Sequence, residues 1–238
     1  MLATDDVTFS VPQGQFLAVI GPSGCGKTTI LNMLAGLLPT SSGVVAVRGE
    51  RVTAPNREIG YMSARDGLLP WRTARENVEL GLEIRGMAKS QRRRKADELL
   101  ALVGLEGFED SHRAQLSQGM RQRVAIARTL AIEPSILLMD EPFAALDAQT
   151  KTTLQQHFAQ LWEQDRKTVM LVTHDIEEAV ALADRVLVFS PRPGRIVADI
   201  EIDIPRPRAI NEVRFTERFR GLTHELWKSL HGSTEGAA

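Results

Sequence analysis

Cysteine and long apolar segments are scarce in this chain of 238 residues. Its single cysteine, Cys25, excludes an intramolecular disulfide and favours a reducing compartment. No apolar run approaches the roughly 20 residues of a membrane span, and the N-terminus lacks a basic stretch followed by an apolar core. The sequence therefore predicts a cytoplasmic protein that does not itself cross a membrane.

An excess of charge of either sign is also lacking, since 29 Lys and Arg residues face 30 Asp and Glu residues. The formal net charge of −1 argues against nucleic-acid binding driven by the charge of the whole surface. The basic run 92–95 lies in a segment with apolar residues at helical spacing, so we interpret it as the solvated face of a helix.

Apolar runs and helical patterns alternate along the chain and together predict an α/β fold. Residues 7–11 alternate apolar and polar side chains, as a half-buried strand does, whereas residues 16–20 are uniformly apolar, as in a strand covered on both faces. Further predicted strands are 44–47, 59–62, 136–139, 168–172, 185–189 and 196–204. Repetition of strand, helix and strand predicts a parallel sheet.

Helical patterns dominate residues 64–130, with 76–84 and 91–103 as the clearest helices, and this region predicts an inserted helical lobe. Outside it, helical patterns cover 29–38, 150–164, 176–182 and 213–230.

A phosphate-binding loop lies between the strand 16–20 and the helix 29–38, and it has the full GxxxxGK[ST] spacing. Glycines let the backbone bring its N–H groups against phosphate oxygens, and the helix N-terminus favours the same anion. Lys27 can reach the β- and γ-phosphates, and the hydroxyl of Thr28 can bind Mg²⁺. The nucleotide-contacting run is Gly21, Pro22, Ser23, Gly24, Cys25, Gly26, Lys27, Thr28 and Thr29.

Two predicted strands end in polar residues that complete a candidate hydrolytic site. Asp140 and Glu141 follow the strand 136–139, so Asp140 can hold Mg²⁺ while Glu141 faces an attacking water. His174 follows the strand 168–172 and should emerge at the same sheet edge, where imidazole can bind the γ-phosphate or orient water. Ser117 and Gly119 lie at the start of a helix with regularly spaced apolar residues, and the N-terminus of this helix is a second candidate anion-binding site.

These motifs stand in the order found in the ATPase subunits of ATP-binding cassette (ABC) transporters, which the chain resembles over nearly its whole length. The resemblance rests on residues 21–29, the signature-like 116–122, the Asp140-Glu141 pair, the D-loop-like 145–147 and His174. It implies one α/β domain, 1–238, with a P-loop NTPase (RecA-like) core, a parallel sheet, a small antiparallel β part and an inserted helical subdomain. The implied division is core 1–63 and 131–205, helical subdomain 64–130, and C-terminal helix and tail 206–238.

The resemblance also implies a homodimer in which each ATP lies between one phosphate loop and the signature of the other subunit. Ser117 and Gly119 would then contact ATP in trans, and Asp147 would cross the interface. Closing a second surface over ATP excludes bulk water and strengthens the electrostatics of phosphoryl transfer.

Within the family, residues 68–78 and 190–196 look like those of the nitrate, sulfonate and taurine class of importer subunits. This likeness implies two membrane permease subunits, an external solute-binding protein, and a peripheral position on the cytoplasmic face of the inner membrane. Trp71, beside two leucines, could line the groove for a permease helix or could pack the lobe onto the core.

The chain departs from the family pattern at three places. Ala64 stands where a loop glutamine is usual, and a methyl group can neither bind Mg²⁺ nor pass a hydrogen bond to water. We hypothesise that Arg65 or Asp66 substitutes for it; unchanged ATP turnover and coupling after both are replaced by alanine would refute this. The signature has Gln118 and Met120 where Gly and Gln are usual. The sequence begins about where the family's upstream strand and its adenine-stacking aromatic residue should already have ended, so either the start is truncated or another residue stacks on adenine.

Two other functions remain open at this stage. A binding-only or regulatory cassette is favoured by Ala64, although Lys27, Asp140, Glu141 and His174 oppose it. A cassette ATPase acting on DNA or ribosomes is disfavoured by the near-neutral charge and by the lack of a long coiled coil or a second cassette.

Overall fold

A six-stranded sheet organises the molecule, which we describe from a computed structural model covering residues 2–232. The strands are β1 (Phe16–Ile20), β2 (Ala46–Val47), β3 (Glu50–Arg51), β4 (Ile59–Met62), β5 (Ile136–Asp140), β6 (Thr168–Val172), β7 (Arg185–Phe189) and β8 (Ile196–Glu201). The large sheet has the order β4-β5-β6-β1-β7-β8, and β2 and β3 form a separate antiparallel pair.

Strands β4, β5, β6, β1 and β7 are parallel, as predicted, but β8 runs antiparallel to β7. The connection between β7 and β8 explains the difference. It spans only residues 190–195 and is closed by a hydrogen bond of 2.9 Å from the Ser190 N–H to the Arg195 carbonyl. A parallel return needs a crossover of a dozen or more residues, so this short turn permits only a hairpin.

Eight α-helices flank the described part of the sheet or form the lobe. They are α1 (Lys27–Leu34), α2 (Ala74–Ile84), α3 (Lys89–Leu102), α4 (Gln118–Ala131), α5 (Ala148–Asp165), α6 (Ile176–Leu182), α7 (Ile210–Val213) and α8 (Glu217–Gly232). Helices α2, α3 and α4 follow β4 and precede β5 in the chain, and they pack on one another. They form the helical lobe where the sequence predicts an insertion. Residues 233–238 of the predicted tail lie outside the described residues.

The predicted α/β architecture, with a parallel core sheet, a small antiparallel part and inserted helices, is confirmed. None of the helices within residues 2–232 has both the length and the apolar character needed to cross a bilayer. The basic run 92–95 is less solvated than predicted, since Arg92 pairs with the nearly buried Glu79 at 2.8 Å and Lys95 pairs with Glu133.

Apolar side chains cover both faces of the sheet. Phe16 on one face of β1 meets Phe158 and Trp162 of α5, with ring centroids 6.0 Å and 5.6 Å apart. Leu17 and Val19 on the other face belong to a cluster with α1. The alternation of residues 7–11 predicts a strand, but they pair with no strand of the described chain; their apolar side chains pack, half-buried, against the same cluster. The alternating pattern thus predicts the half-burial of these side chains, but it does not show whether another strand lies beside them to pair with.

Candidate nucleotide and hydrolytic site

The loop between β1 and α1 has a backbone shaped to surround an anion. Gly24 and Gly26 have φ angles of 79° and 104°, in the left-handed region that favours glycine. A Cβ at Gly24 would meet nothing within 4 Å, whereas one at Gly26 would lie 2.4 Å from Cγ2 of Thr4. Gly26 also begins α1 with no side-chain cap, so the first N–H groups of this helix are available to a phosphate.

Lys27 folds back across this loop. Its ammonium donates hydrogen bonds to the carbonyls of Gly21 at 2.7 Å and Pro22 at 2.9 Å, and its side chain is almost fully buried. The Sγ of the buried Cys25 lies 3.7 Å from the same Nζ atom. The loop therefore contains a positive charge held by neutral carbonyls, an arrangement that suits a phosphate group.

Thr28 and Asp140 meet across the base of the loop. The Thr28 hydroxyl donates a 2.8 Å hydrogen bond to Oδ2 of Asp140, the last residue of β5. Burial raises the pKa of Asp140, and the Thr28 hydrogen bond and the charge of Lys27 oppose that rise. A hydroxyl and a carboxylate are oxygen donors of the kind that Mg²⁺ prefers, so these residues fit a magnesium ion beside the phosphates.

Glu141 turns away from β5 and meets His174. Its φ angle of 51° is unusual for a residue with a side chain, and its N–H donates to the Val172 carbonyl at 2.9 Å. Oε2 of Glu141 lies 2.8 Å from Nδ1 of His174, whose side chain is 69% exposed. Adjacent carboxylates thus face different partners: Asp140 faces Thr28, and Glu141 faces an imidazole at the solvent edge.

Ser117, Gly119 and Asp147 lie at the starts of α4 and α5. The Ser117 hydroxyl accepts from the Met120 N–H at 3.2 Å, and Oδ1 of Asp147 accepts from the Thr150 N–H at 3.0 Å. A Cβ at Gly119 would lie 3.1 Å from the Ala145 carbonyl, so α4 and the segment before α5 pack closely. Within one subunit, Ser117 and Asp147 therefore bind the first turns of their own helices rather than the phosphate loop.

Gln122 is a contact to the site that the sequence reasoning did not single out. This buried side chain of α4 donates a hydrogen bond of 3.2 Å from Nε2 to the carbonyl of Glu141. It therefore connects the signature-like helix directly to the backbone of the candidate hydrolytic residue. Its position five residues after Ser117 places it inside α4, but no sequence pattern indicates that it faces Glu141.

The segment that carries Ala64 borders a cavity of about 450 Å³ and is attached to α4 through Asp66. Arg113 contacts both carboxylate oxygens of Asp66 at 3.2 Å, and Arg128 donates to the Asp66 carbonyl at 2.8 Å. Burial tends to raise the pKa of Asp66, but the hydrogen bonds and charge of Arg113 outweigh burial and hold this pKa below its usual value. The loop and the helical lobe are thus connected by ionic contacts near Ala64.

Comparison with known proteins places these features in a family context. The profile described as ABC transporter matches residues 4–144. An uncharacterized ABC transporter ATP-binding protein of Methanocaldococcus jannaschii is 49% identical over 232 residues, which cover 96% of this chain and 87% of that protein. The taurine import ATP-binding protein TauB of Rhizobium johnstonii is 44% identical over 237 residues, covering 98% of this chain and 90% of that protein.

Among solved structures, a dimeric ATP-binding cassette in a post-hydrolysis state, bound to ADP and Pi, matches with a TM-score of 0.79. It is 35% identical in sequence, and the match covers 85% of this chain and 92% of that one.

Proposed function

This chain belongs to the ABC transporter family and is an ATP-hydrolysing cassette, and on that premise we propose that it energises an importer of a small anionic solute resembling a sulfonate or nitrate. The observation that supports hydrolysis best is the meeting of two pairs, Thr28 with Asp140 and Glu141 with His174, each at 2.8 Å, where β5 and β6 end. Import of such a solute is supported by the taurine import relatives, at 44% and 47% identity.

Each residue in the site has a proposed role. The backbone of residues 21–29 and the ammonium of Lys27 hold the phosphates, and Thr28 with Asp140 holds Mg²⁺, which neutralises phosphate charge when it is bound. Glu141 polarises the attacking water, and His174 contacts the γ-phosphate from the same edge. Ser117 and Gly119 contact ATP bound by the partner subunit, and Asp147 lies at the subunit interface.

The proposed assembly is a head-to-tail homodimer on the cytoplasmic face of the inner membrane, with two permease subunits and an external solute-binding protein but no nucleic acid. The proposed division of the chain is core 1–63 and 131–205, helical subdomain 64–130, and C-terminal region 206–238. The dimer is supported by the dimeric cassette among the solved structures, and the permeases are supported by the transporter family.

Reconstitution tests the proposed transport. The chain is produced with its proposed permease and solute-binding subunits, and the complex is placed in vesicles containing ATP and Mg²⁺. We expect accumulation of radiolabelled taurine, an alkanesulfonate or nitrate, and no accumulation of a neutral solute of similar size. Uptake that proceeds equally without ATP, or uptake of the neutral solute alone, would contradict the proposal.

Trp71 supports a permease-facing surface on the helical lobe. Its side chain is 71% exposed, whereas Leu68 in the same loop is only 5% exposed and packs in the core. Leu68 therefore fits the interpretation that this loop packs the lobe onto the core. Trp71 fits the interpretation that the loop contacts another protein.

We expect Trp71→Ala to lower ATP-driven uptake about tenfold, because a large aromatic anchor at an interface contributes on the order of 1–2 kcal/mol. Affinity for ATP should stay within about twofold, since the residues that share a cavity with Trp71 belong to the lobe and not to the phosphate loop. Uptake and fluorescent-nucleotide binding measure the two quantities. Phe108→Ala, also on the lobe and 44% exposed, is the matched control. Weakened ATP binding with intact uptake would overturn the assignment.

A binding-only cassette is the second candidate, and Ala64 is the observation that favours it. Residues 63–67, the loop holding Ala64, contain no Asn or Gln whose side-chain amide could bind a magnesium ion or a water. The effect of replacing Glu141 on ATP turnover distinguishes this candidate from a hydrolysing subunit.

A further inference from the structure

A partly buried lysine, Lys151, joins α5 to the turn that carries His174. Nζ of Lys151 lies 2.8 Å from Oδ2 of Asp175 and 2.8 Å from Oε2 of Glu178. The Glu178 side chain is 2% exposed, and its Oε2 also accepts from Nε2 of Gln155 at 3.1 Å. The lysine is therefore the cation shared by two carboxylates between α5 and α6.

The position of His174 depends on the backbone around it, because its own side chain is mostly exposed. That backbone is held on both sides. The Thr173 N–H donates to the Val19 carbonyl at 3.1 Å, and the Asp175 N–H donates to the Thr173 hydroxyl at 3.1 Å. Oδ1 of Asp175 caps α6 by accepting from the Glu178 N–H at 3.0 Å, while its other oxygen contacts Lys151.

Electrostatics make this lysine difficult to replace. Burial lowers the pKa of Lys151, but the charges of Glu178 and Asp175 outweigh burial and raise it. Burial raises the pKa of Glu178, and Lys151 opposes that rise. Without the ammonium, the buried carboxylate of Glu178 and the partly exposed carboxylate of Asp175 would face each other, which favours either their separation or the uptake of a proton.

The same lysine lies one helical turn from Asp147. The Lys151 N–H donates a 2.8 Å hydrogen bond to the Asp147 carbonyl in the first turn of α5. A continuous set of contacts thus runs from Asp147 through Lys151 and Asp175 to His174, and from His174 to Glu141. One end of this set, Asp147, belongs to the proposed subunit interface, and the other, Glu141, belongs to the proposed hydrolytic site.

We propose that Lys151 is a positioning residue for ATP hydrolysis, which keeps the 173–175 turn against α5 so that the imidazole of His174 stays beside Glu141. It thereby makes the position of His174 depend on the start of α5, where Asp147 lies. The inference rests on the proposed roles of Glu141 and His174.

Lys151→Met, Lys151→Arg and Asp175→Asn test the inference in the full chain. We expect Lys151→Met to lower kcat for ATP about tenfold with KM changed less than about twofold, because a displaced catalytic group loses transition-state rather than ground-state contacts. Lys151→Arg should recover most of kcat. Asn caps a helix about as well as Asp, so Asp175→Asn removes the ion pair while keeping the cap, and it should lower kcat in the same direction.

A spectroscopic measurement separates positioning from simple destabilisation. The chain has five histidines, so the imidazole signal of His174 in a ¹³C-histidine spectrum is identified by its loss in His174→Ala. We expect this signal to move in Lys151→Met without nucleotide and at fixed pH, and to return in Lys151→Arg. Lys167→Met is the matched control, because Lys167 pairs at 3.3 Å with Asp165 at the far end of α5.

A lower melting temperature with an unmoved His174 signal and normal kcat would overturn the inference. If Lys151→Met does not fold, Asp175→Asn decides by the same two readouts. Failure of the proposed function is distinguishable, since it would appear as unchanged turnover in Glu141→Gln with an otherwise wild-type chain.

Discussion

Replacing Glu141 with glutamine is expected to lower steady-state ATP hydrolysis by about 10²–10⁴-fold, the range for loss of a general base. Glutamine has nearly the same shape and can still contact Nδ1 of His174, which lies 2.8 Å from the native carboxylate. An amide cannot accept a proton from water, so the chemical step is lost while the structure of the site is kept. Lys27, Thr28 and Asp140 are untouched, and binding of ATP with Mg²⁺ should persist.

Phosphate release, fluorescent-nucleotide binding and gel filtration measure the three consequences. We expect the Glu141→Gln chain to bind ATP with wild-type affinity and to elute as a dimer in ATP, because the nucleotide that joins the two subunits is no longer consumed. Glu98→Gln, on the exposed face of α3, is the control and should hydrolyse ATP normally. Equal turnover in the wild-type and Glu141→Gln chains would instead support a binding-only cassette.

The features predictable from the sequence are those set by local chemistry. The left-handed φ of Gly26, the continuous burial of β1 and the carboxylate at the end of β5 follow from residues close to one another in the chain. Strand ends meet at one edge of a parallel sheet, and this rule suffices to bring Glu141 and His174 together from 33 residues apart.

Contacts set by the packing of distant segments could not be predicted in the same way. Asp66 and Arg113 are 47 residues apart, and the carboxylate could equally pair with other guanidinium groups of the lobe. Lys151 and Asp175 meet only because α5 and α6 both pack against β1. The antiparallel direction of β8 is an intermediate case, since the shortness of the 190–195 connection requires it once β7 and β8 are known to be neighbours.

Arg208 joins the C-terminal region to the core through several buried hydrogen bonds. Its guanidinium is 1% exposed and donates six hydrogen bonds to backbone carbonyls at the end of α6 and after β8. The shortest, 2.7 Å, reaches the Ala183 carbonyl. Burial and the charge of Arg206 lower the pKa of Arg208 to about 10, while Asp184 and Glu163 oppose this. The carbonyls that end a helix have no partner within it, and Arg208 supplies one.

We expect Arg208→Met to lower the free energy of unfolding by about 3–5 kcal/mol, because several buried carbonyls lose their partner at once. Arg208→Lys should recover only part of this loss, since a compact ammonium cannot span acceptors that a planar guanidinium reaches. Urea unfolding followed by circular dichroism measures both. Arg218 lies on α8 and forms an exposed ion pair with Asp203, and Arg218→Met, which removes this pair, should leave the urea midpoint unchanged. Equal midpoints for Arg208→Met and Arg218→Met would show that the buried guanidinium does not hold the C-terminal region to the core.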